Sequence, residues 1–164
     1  MTLLTDEVRA WIGKEAVYTA PEPIGGAAFR YFAAAIGDDN PLYCDDEYAR
    51  AHGYPSVIAP PTLICETNQY VTGARNDEGL LGHWWDIPVE GALAVRGGNS
   101  YEFYQPIVPG DVITARWRIA DITERARDDG SSMVIVLSEA TYTNQHGERL
   151  AKNTETIIYR GAAS

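Results

Sequence analysis

Acidic residues and an Asn-Pro turn are concentrated in the stretch GDDNPLYCDDE, residues 37–47. Further along, residues 58–63 (IAPPTL) lead into a predicted helix. Carboxylates can transfer protons, and the free N–H groups at a helix N-terminus can stabilise an oxyanion. The stretch therefore has features of an active site for acid–base chemistry. It contains no histidine, however, which is the side chain most often used as a general base.

Three predicted helices position this stretch. Residues 26–36 (GAAFRYFAAAI) are rich in alanine, with apolar residues at helical spacing, and Gly37 follows them. Residues 45–52 (DDEYARAH) predict a shorter helix with acids in its first turn, where they interact favourably with the helix dipole. A longer helix is predicted from residue 62 to about residue 75. It begins after two prolines, which are tolerated there because the first N–H groups of a helix are unpaired anyway.

After Gly91 the sequence pattern is typical of strands. In residues 112–122, Ile113, Ala115, Trp117 and Ile119 alternate with polar residues, as expected for a strand with one buried face. The other predicted strands are residues 92–104, with a bulge or turn at Gly97-Gly98, residues 133–144 and residues 149–160. The predicted connections are a loop at residues 106–111, a hairpin at residues 124–132 that turns at Asp129-Gly130, and a turn at residues 145–148. Helices followed by an antiparallel meander predict an α+β fold, with one long helix packed on a curved sheet.

The composition predicts one globular domain over residues 1–164, of which 45% are hydrophobic. With 13 basic and 23 acidic residues the net charge is −10, which disfavours nucleic acid and anionic lipid as partners. The first residues are acidic where a signal peptide is basic, and no run reaches the ~18 apolar residues of a membrane span. Cys44 and Cys65 are expected to be free thiols, so the predicted location is the cytoplasm.

At these residues the chain resembles the MaoC-like (R)-specific enoyl-CoA hydratase/dehydratase family, which has the hot-dog fold. The similarity covers nearly the whole chain, and the subgroup that it resembles is the N-terminal, FAS1-like dehydratase subgroup. The motif positions that carry it are Asp38-Asp39-Asn40-Pro41-Leu42-Tyr43, Asp46-Glu47-Tyr48-Ala49, Ile58-Ala59-Pro60-Pro61-Thr62-Leu63 and GGNSYEFYQPIVPGD at residues 97–111.

The resemblance implies a mechanism that two residues of this chain do not fit. In the family an Asp and a His act on water, and the backbone N–H of a Gly at the start of the central helix polarises the thioester carbonyl. Asp38 matches the Asp, Tyr43 replaces the His and Pro61 replaces the Gly. Tyrosine, with a pKa of about 10, is a poor base at neutral pH, and proline has no N–H. One lost oxyanion donor typically costs about 10²–10³ in rate, so the site is interpreted as degenerate.

The resemblance implies a substrate-binding, non-catalytic subunit of a heteromeric 2-enoyl-CoA hydratase or 3-hydroxyacyl dehydratase of lipid metabolism. The implied partner is a second MaoC-like hot-dog subunit with intact Asp and His, in a heterodimer or heterotetramer. The substrate is a thioester of coenzyme A or of an acyl carrier, and no cofactor is expected. Two alternatives stay open: a self-sufficient homodimeric hydratase or thioesterase that uses Asp38, Tyr43 or His83, and a binding module without a catalytic complex.

Each candidate site residue also has a structural interpretation. Asp38 is either a remnant base or a cap for the preceding helix, and Tyr43 either contacts a ligand or fills the vacated pocket. His83 is the one histidine beside large apolar residues. The predicted substrate-binding residues comprise the Asn-Pro turn, the start of the long helix, two tryptophans and three arginines that could meet coenzyme A phosphates or form salt bridges. They are Asn40, Pro61, Thr62, Trp84, Trp85, Arg96, Arg116 and Arg118.

Overall fold

The computed structural model describes residues 2–70 and 85–161 of the chain. Helical elements come first, apart from one short strand near the N-terminus. They are α1 (Asp6–Arg9), β1 (Glu15–Thr19), α2 (Gly26–Ile36), a short 3₁₀-helix (Pro41–Tyr43), α3 (Asp46–Ala51) and a long 3₁₀-helix (Pro61–Tyr70). Four long strands follow, β2 (Ala92–Phe103), β3 (Thr114–Ala126), β4 (Ser132–Thr143) and β5 (Arg149–Gly161). Among the described residues, no helix is long and apolar enough to cross a membrane.

The strands form one antiparallel sheet in the order β1-β3-β4-β5-β2. The predicted meander is confirmed for β3, β4 and β5, which are joined by hairpins. It is wrong for β2, which pairs with β5 and is separated from β3 by two strands. The connection from β2 to β3, residues 104–113, therefore crosses the end of the sheet. Alternation within a strand defines its buried face, but it carries no information on which strand lies beside it.

The register of the sheet shifts at three points, one of which lies between Tyr142 and Thr143 in the pairing of β4 with β5. The bulge predicted at Gly97-Gly98 is confirmed, since the register of β2 against β5 shifts between Arg96 and Gly98. A Cβ atom at Gly97 would lie 2.9 Å from Cγ2 of Thr156, so a larger residue at this position would require Thr156 to move. A second shift lies between Ile119 and Asp121 and lets β3 continue to Ala126, four residues beyond the predicted end. The hairpin after β3 is correspondingly short, with Arg127 N–H donating to Ser131 O over 2.8 Å.

The first two predicted helices are confirmed. The helix α2 ends where Gly37 adopts the left-handed conformation, with φ of 73°. The helix α3 is capped by Asp45, whose side chain accepts a hydrogen bond from Tyr48 N–H over 2.9 Å. Because both ends are determined by local capping residues, they could be read from the sequence.

The third predicted helix differs from its prediction in type. The structure has a 3₁₀-helix over Pro61–Tyr70, and the remainder of the predicted range lies outside the described residues. This segment contains Thr62, Cys65, Thr67 and Asn68, residue types with low intrinsic α-helix propensity. This segment therefore loses less stability by forming short i→i+3 turns than an Ala-rich segment such as α2 would lose.

The core lies between the inner face of the sheet and the helical elements, and it has two main apolar clusters. The larger cluster includes Phe29, Ile64, Trp117 and Tyr142. The smaller one is built around α1 and the far ends of the strands, and its members are Leu4, Val8, Ile87, Val89, Ile119, Ile122, Val134 and Val136. Trp85 is half-buried and packs against both clusters. The predicted alternation of β3 is confirmed, because its apolar residues are buried while Arg116 and Arg118 are exposed.

Candidate functional site

The turn after α2 comprises residues 38–43, and we call it the motif turn. Its polar side chains accept hydrogen bonds from its own backbone. Asp38 N–H donates to Ala33 O over 2.9 Å, which closes the end of α2. The Asp38 carboxylate accepts a hydrogen bond from Asn40 N–H over 3.1 Å, and Asn40 Oδ1 accepts one from Leu42 N–H over 3.0 Å. Such side-chain-to-backbone bonds are typical of Asp and Asn in turns. Both residues thus have structural roles that do not require a ligand.

Tyr43, at the position of the family's histidine, is part of the core. Only 7% of it is exposed, and it forms a small apolar cluster with Ala33 and Ile58. Burial raises the pKa of Tyr43 above its ordinary value of 10.0, and the neighbouring Asp38 carboxylate raises it further through its charge and as a hydrogen-bond acceptor. The phenol is therefore protonated at neutral pH and can donate a hydrogen bond, but it cannot take a proton from water.

Pro61 begins the long 3₁₀-helix at the position of the family's glycine. It is exposed and follows Pro60, so neither of these residues offers an N–H to an oxyanion. Thr62 is also exposed. Beside them lies a cavity of about 210 Å³ with largely apolar walls. Its wall residues are Tyr54, Ile58, Ala59, Pro60, Pro61, Ile64, Phe103, Tyr104, Gln105, Pro106, Ile107, Leu150 and Ala151. We call it the proline cavity.

Asp38 lies in a different concavity from Pro61. A groove of about 350 Å³ beside the motif turn is lined by residues of α2 and by Asp38, Asn40 and Tyr43. It shares no described residue with the proline cavity. A hydratase needs its carboxylate near C2 and C3 of the acyl group and its oxyanion donor at the thioester oxygen, so both must face one bound substrate. Among the described residues, Asp38 and Pro61 thus line two different concavities.

The three predicted phosphate-binding arginines do not form one cluster. Arg116 and Arg118 are both on the exposed face of β3, and Arg116 forms a salt bridge with Glu15 at 2.9 Å. Arg96 is on β2, separated from β3 by two strands, or about 14 Å across the sheet at the usual strand spacing. Arg96 forms a salt bridge with Glu155 at 3.4 Å. Salt bridging, the structural alternative, is thus present at two of the three positions.

Trp85 and Arg96 line a small cavity of about 50 Å³ at the other end of the sheet's inner face. Trp85 stacks edge-on against Trp11 with ring centroids 6.4 Å apart. The cavity also includes Glu155, of which 8% is exposed. Burial raises the pKa of the Glu155 carboxyl, and the Arg96 charge opposes this shift.

Sequence analysis missed Glu155 and its buried polar neighbours Ser138 and Asn153. The signal was present, since each occupies a position that strand alternation assigns to the inner face of the sheet. His83 and Trp84 lie outside the described residues. Within residues 2–70 and 85–161, no group of three or more His, Cys, Asp or Glu side chains could hold a metal ion. The two cysteines are free thiols, with Cys44 exposed and Cys65 half-buried.

Comparison with known proteins supports the resemblance seen in the motifs. The family described as "FAS1-like, dehydratase domain region" matches residues 10–153. A UPF0336 protein of Parafrankia sp. (strain EAN1pec) is 30% identical over 153 residues, which cover 93% of this chain and 94% of that protein. A probable enoyl-CoA hydratase alpha subunit of Thermomonospora curvata is 27% identical over 88% of this chain, and the match covers 48% of that longer protein.

Solved structures share the fold. The ChsH1-ChsH2 complex from Mycobacterium tuberculosis contains a chain that superposes with a TM-score of 0.72 at 20% identity, over 96% of this chain and 89% of that one. A MaoC-like dehydratase from Rhodospirillum rubrum superposes with a TM-score of 0.65 at 19% identity, over 92% of this chain and 93% of that one. The predicted hot-dog fold is therefore confirmed.

Proposed function

Because the chain belongs to the FAS1-like dehydratase domain family, we propose that it is the substrate-binding subunit of a heteromeric hydratase or dehydratase. In this proposal the complex acts on 2-enoyl or 3-hydroxyacyl thioesters, and this chain has no catalytic centre of its own. One observation carries the proposal. Asp38 and the start of the long 3₁₀-helix line separate concavities, and the position of the family's histidine is a buried, protonated tyrosine.

The reaction requires groups that this chain does not assemble. Hydration adds water at C3 and a proton at C2, while negative charge develops on the thioester oxygen. A base must accept a proton from water, and N–H donors must face the oxygen. Here Tyr43 holds its proton and Pro61 has no N–H to give. The catalytic groups must then come from another subunit.

The proline cavity supports a role in holding the acyl group. Its walls include the rings of Tyr54, Phe103 and Tyr104 and the side chains of Ile58 and Ile64. Burying an acyl chain against such walls contributes roughly 0.8 kcal/mol per CH₂ group. The chain can thus supply binding energy to the thioester without taking part in the proton transfers, which is the division of labour that we propose.

The β2 edge of the sheet supports a second hot-dog subunit as the partner. Within the described residues, β2 pairs with β5 only, so the backbone groups along its other edge are open to another strand. Leu93, Phe103 and Tyr104 are large, exposed side chains on or beside this strand. Exposed edges of this kind are unusual in isolated proteins, because they invite pairing with another chain. The heteromeric ChsH1-ChsH2 complex has a chain of the same fold.

The ligand of this subunit, in our proposal, is an acyl thioester of coenzyme A or of an acyl-carrier protein, bound in the cytoplasm without a resident cofactor. The function belongs to lipid metabolism in the broad sense. The exposed Arg118, together with Arg116 and Arg96 when their salt bridges open, can contact the phosphates of the carrier. Mutation of Arg118 to Gln is the simplest probe of that contact, since Arg116 and Arg96 each have a carboxylate partner.

The test is reconstitution with a MaoC-like protein from the same genome that has an intact D-x-N-P-x-H motif. Hydration of crotonyl-, octenoyl- and hexadecenoyl-CoA is followed for each purified protein and for their mixture. We expect activity with at least one substrate only in the mixture. Asp38→Ala in this chain should change the activity of the mixture by less than about threefold, as should the control Asp39→Ala. Activity of this chain alone, abolished by Asp38→Ala, would instead establish the self-sufficient enzyme.

A further inference from the structure

The inner face of the sheet carries polar side chains between its two apolar clusters. We call Asn99, Ser138, Asn153 and Glu155 the polar belt. In the register of the sheet Ser138 on β4 is the partner of Glu155 on β5, and Glu155 is the partner of Asn99 on β2. Asn153 is two residues before Glu155, on the same face of β5. The four side chains thus form one patch that spans three neighbouring strands.

The belt extends from the surface into the core. Asn99 is exposed on the edge strand, whereas Ser138 is fully buried and 1% of Asn153 is exposed. Asn153 Nδ2 donates to Asn99 Oδ1 over 3.1 Å. Arg96, with 63% of its side chain exposed, meets Glu155 at the outer end of the belt. On β4 the inward-facing neighbours of Ser138 are Val136 and Ala140, which are buried and apolar, so a polar residue is unusual at this position.

Two buried oxygens of the belt have unmet hydrogen-bonding capacity. In the part of the chain that the structure describes, Ser138 Oγ and Asn153 Oδ1 have no hydrogen-bond partner. An unpaired buried polar group lowers the folding equilibrium constant by roughly tenfold or more, and native proteins contain few of them. An alanine at position 138 and an apolar residue at position 153 would avoid this cost. These two oxygens are therefore available for contact with a bound group.

Cavities adjoin the belt at both ends. Ala151, on the inner face of β5, lines the proline cavity, and Glu155 lines the small cavity beside Trp85. Four residues of an antiparallel strand separate these two positions, which corresponds to about 14 Å. Asn153 lies midway between them. A long or bulky acyl group that enters at the proline cavity and follows the inner face of β5 would therefore reach the belt before it reached the small cavity.

We propose that the polar belt recognises a hydroxyl group on the acyl part of the thioester, so that the substrate is a hydroxylated acyl chain or ring system. This inference rests on the proposed function. A hydroxyl suits the belt because it both donates and accepts. It donates to Asn153 Oδ1 and accepts a hydrogen bond from the Ser138 hydroxyl. It would also suit the belt if the amide of Asn153 were turned over, since it would then accept from Nδ2.

The experiment compares matched ligands with and without the hydroxyl. Isothermal titration calorimetry on the full chain measures the affinity for dodecanoyl-CoA and for a series of hydroxydodecanoyl-CoA isomers, with the hydroxyl moved along the chain. We expect at least one isomer to bind about three- to tenfold more tightly than the parent, the net effect of one hydrogen bond in a protein.

Two variants locate that preference. Ser138→Ala removes an oxygen that has no partner among the described residues, so it should fold normally, and Asn153→Leu keeps the number and branching of the side-chain heavy atoms. Each should bring the ratio of the two affinities close to one. Thr154→Val is the matched control, because Thr154 is next to Asn153 but on the opposite face of β5. It should leave the preference unchanged.

The outcomes separate this inference from the proposed function. Equal binding of all isomers and the parent overturns the polar belt as a hydroxyl site and leaves the substrate-binding role intact. A preference that survives in both Ser138→Ala and Asn153→Leu also overturns it. Failure of every CoA thioester to bind, by this chain and by its reconstituted complex, contradicts the proposed function itself.

Discussion

The motif turn and the polar belt make opposite use of their polar residues. In the motif turn the side chains of Asp38 and Asn40 already accept hydrogen bonds from their own backbone. In the belt, Ser138 and Asn153 are buried with oxygens that no described residue satisfies. The polar side chains in the region that resembles an active site have hydrogen-bond partners within that region. Those in the region that resembles core include oxygens without a partner among the described residues. The motif turn therefore needs no ligand to satisfy its polar groups, whereas the belt has hydrogen-bonding capacity that a ligand could use.

The largest effect is expected where Tyr43 fills the vacated site. Tyr43→Ala should lower the free energy of unfolding by about 3 kcal/mol, since it removes a buried ring from its contacts with Ala33 and Ile58. Tyr43→Phe, the matched control, should cost less than about 1 kcal/mol because the ring remains. Urea denaturation measures both. A small loss for Tyr43→Ala would mean that Tyr43 is not a packing residue, and the contrast between the two regions would weaken.

The two buried serines offer a sharper comparison of satisfied and unsatisfied hydroxyls. Ser131 Oγ is bonded to Asp129 and to Arg127, so Ser131→Ala should cost about 1 kcal/mol. Ser138→Ala removes a hydroxyl without a partner in the described part of the chain, so it should leave stability unchanged or raise it by up to about 1 kcal/mol. In thermal and urea unfolding the midpoint should therefore fall for Ser131→Ala and should not fall for Ser138→Ala. Equal destabilisation would show that Ser138 has a stabilising partner in solution.

Replacement of Pro61, which also belongs to the family motif, should have a smaller effect. Pro61→Gly adds an N–H at the start of the long 3₁₀-helix, but it also increases the freedom of the unfolded chain. We expect a loss of roughly 0.4–1 kcal/mol in stability. We also expect no hydratase activity from the isolated variant, even combined with Tyr43→His, because Asp38 and Pro61 line separate concavities. A clear gain of activity in the double variant would show that the two ends of the motif can still act together.

The smallest effect concerns the pH dependence of stability. Burial raises the pKa of Glu155 above its ordinary value of 4.5, so the folded chain holds this proton to a higher pH than the unfolded chain does. The stability contributed by Glu155 is therefore present below the ordinary pKa and is lost as pH rises through the raised one. Glu155→Gln should remove this loss, so its stability relative to the wild type should increase across that window. A constant difference between the two proteins would contradict the assigned shift.

The features that sequence analysis predicted correctly are those determined by neighbouring residues. The ends of α2 and α3 follow from Gly37 and Asp45, and the buried face of β3 follows from alternation. The position of β2 beside β5 depends on contacts between distant segments, so it could not be derived locally. The short strand β1 was missed because an edge strand of five residues, with its charged Glu15 and exposed Val17, has little apolar pattern.

The candidate site was predicted in part. Burial of Tyr43 matches one of the two interpretations that the sequence left open, and the lack of an N–H at Pro61 follows from residue type. The separation of Asp38 from Pro61 depends on tertiary packing, which the motif does not encode. The belt was present as polar residues at inward-facing positions of β4 and β5, but its extent depends on which strands lie side by side, which alternation does not show.

Turnover of octenoyl-CoA by the isolated chain, measured beside its binding, tests the central claim most directly. We predict that the isolated chain binds the thioester and does not hydrate it, and that Asp38→Ala changes neither result. Addition of the MaoC-like second subunit should then start turnover. Hydration by the isolated chain, lost in Asp38→Ala, would contradict the account and would restore Asp38 as a working catalytic base.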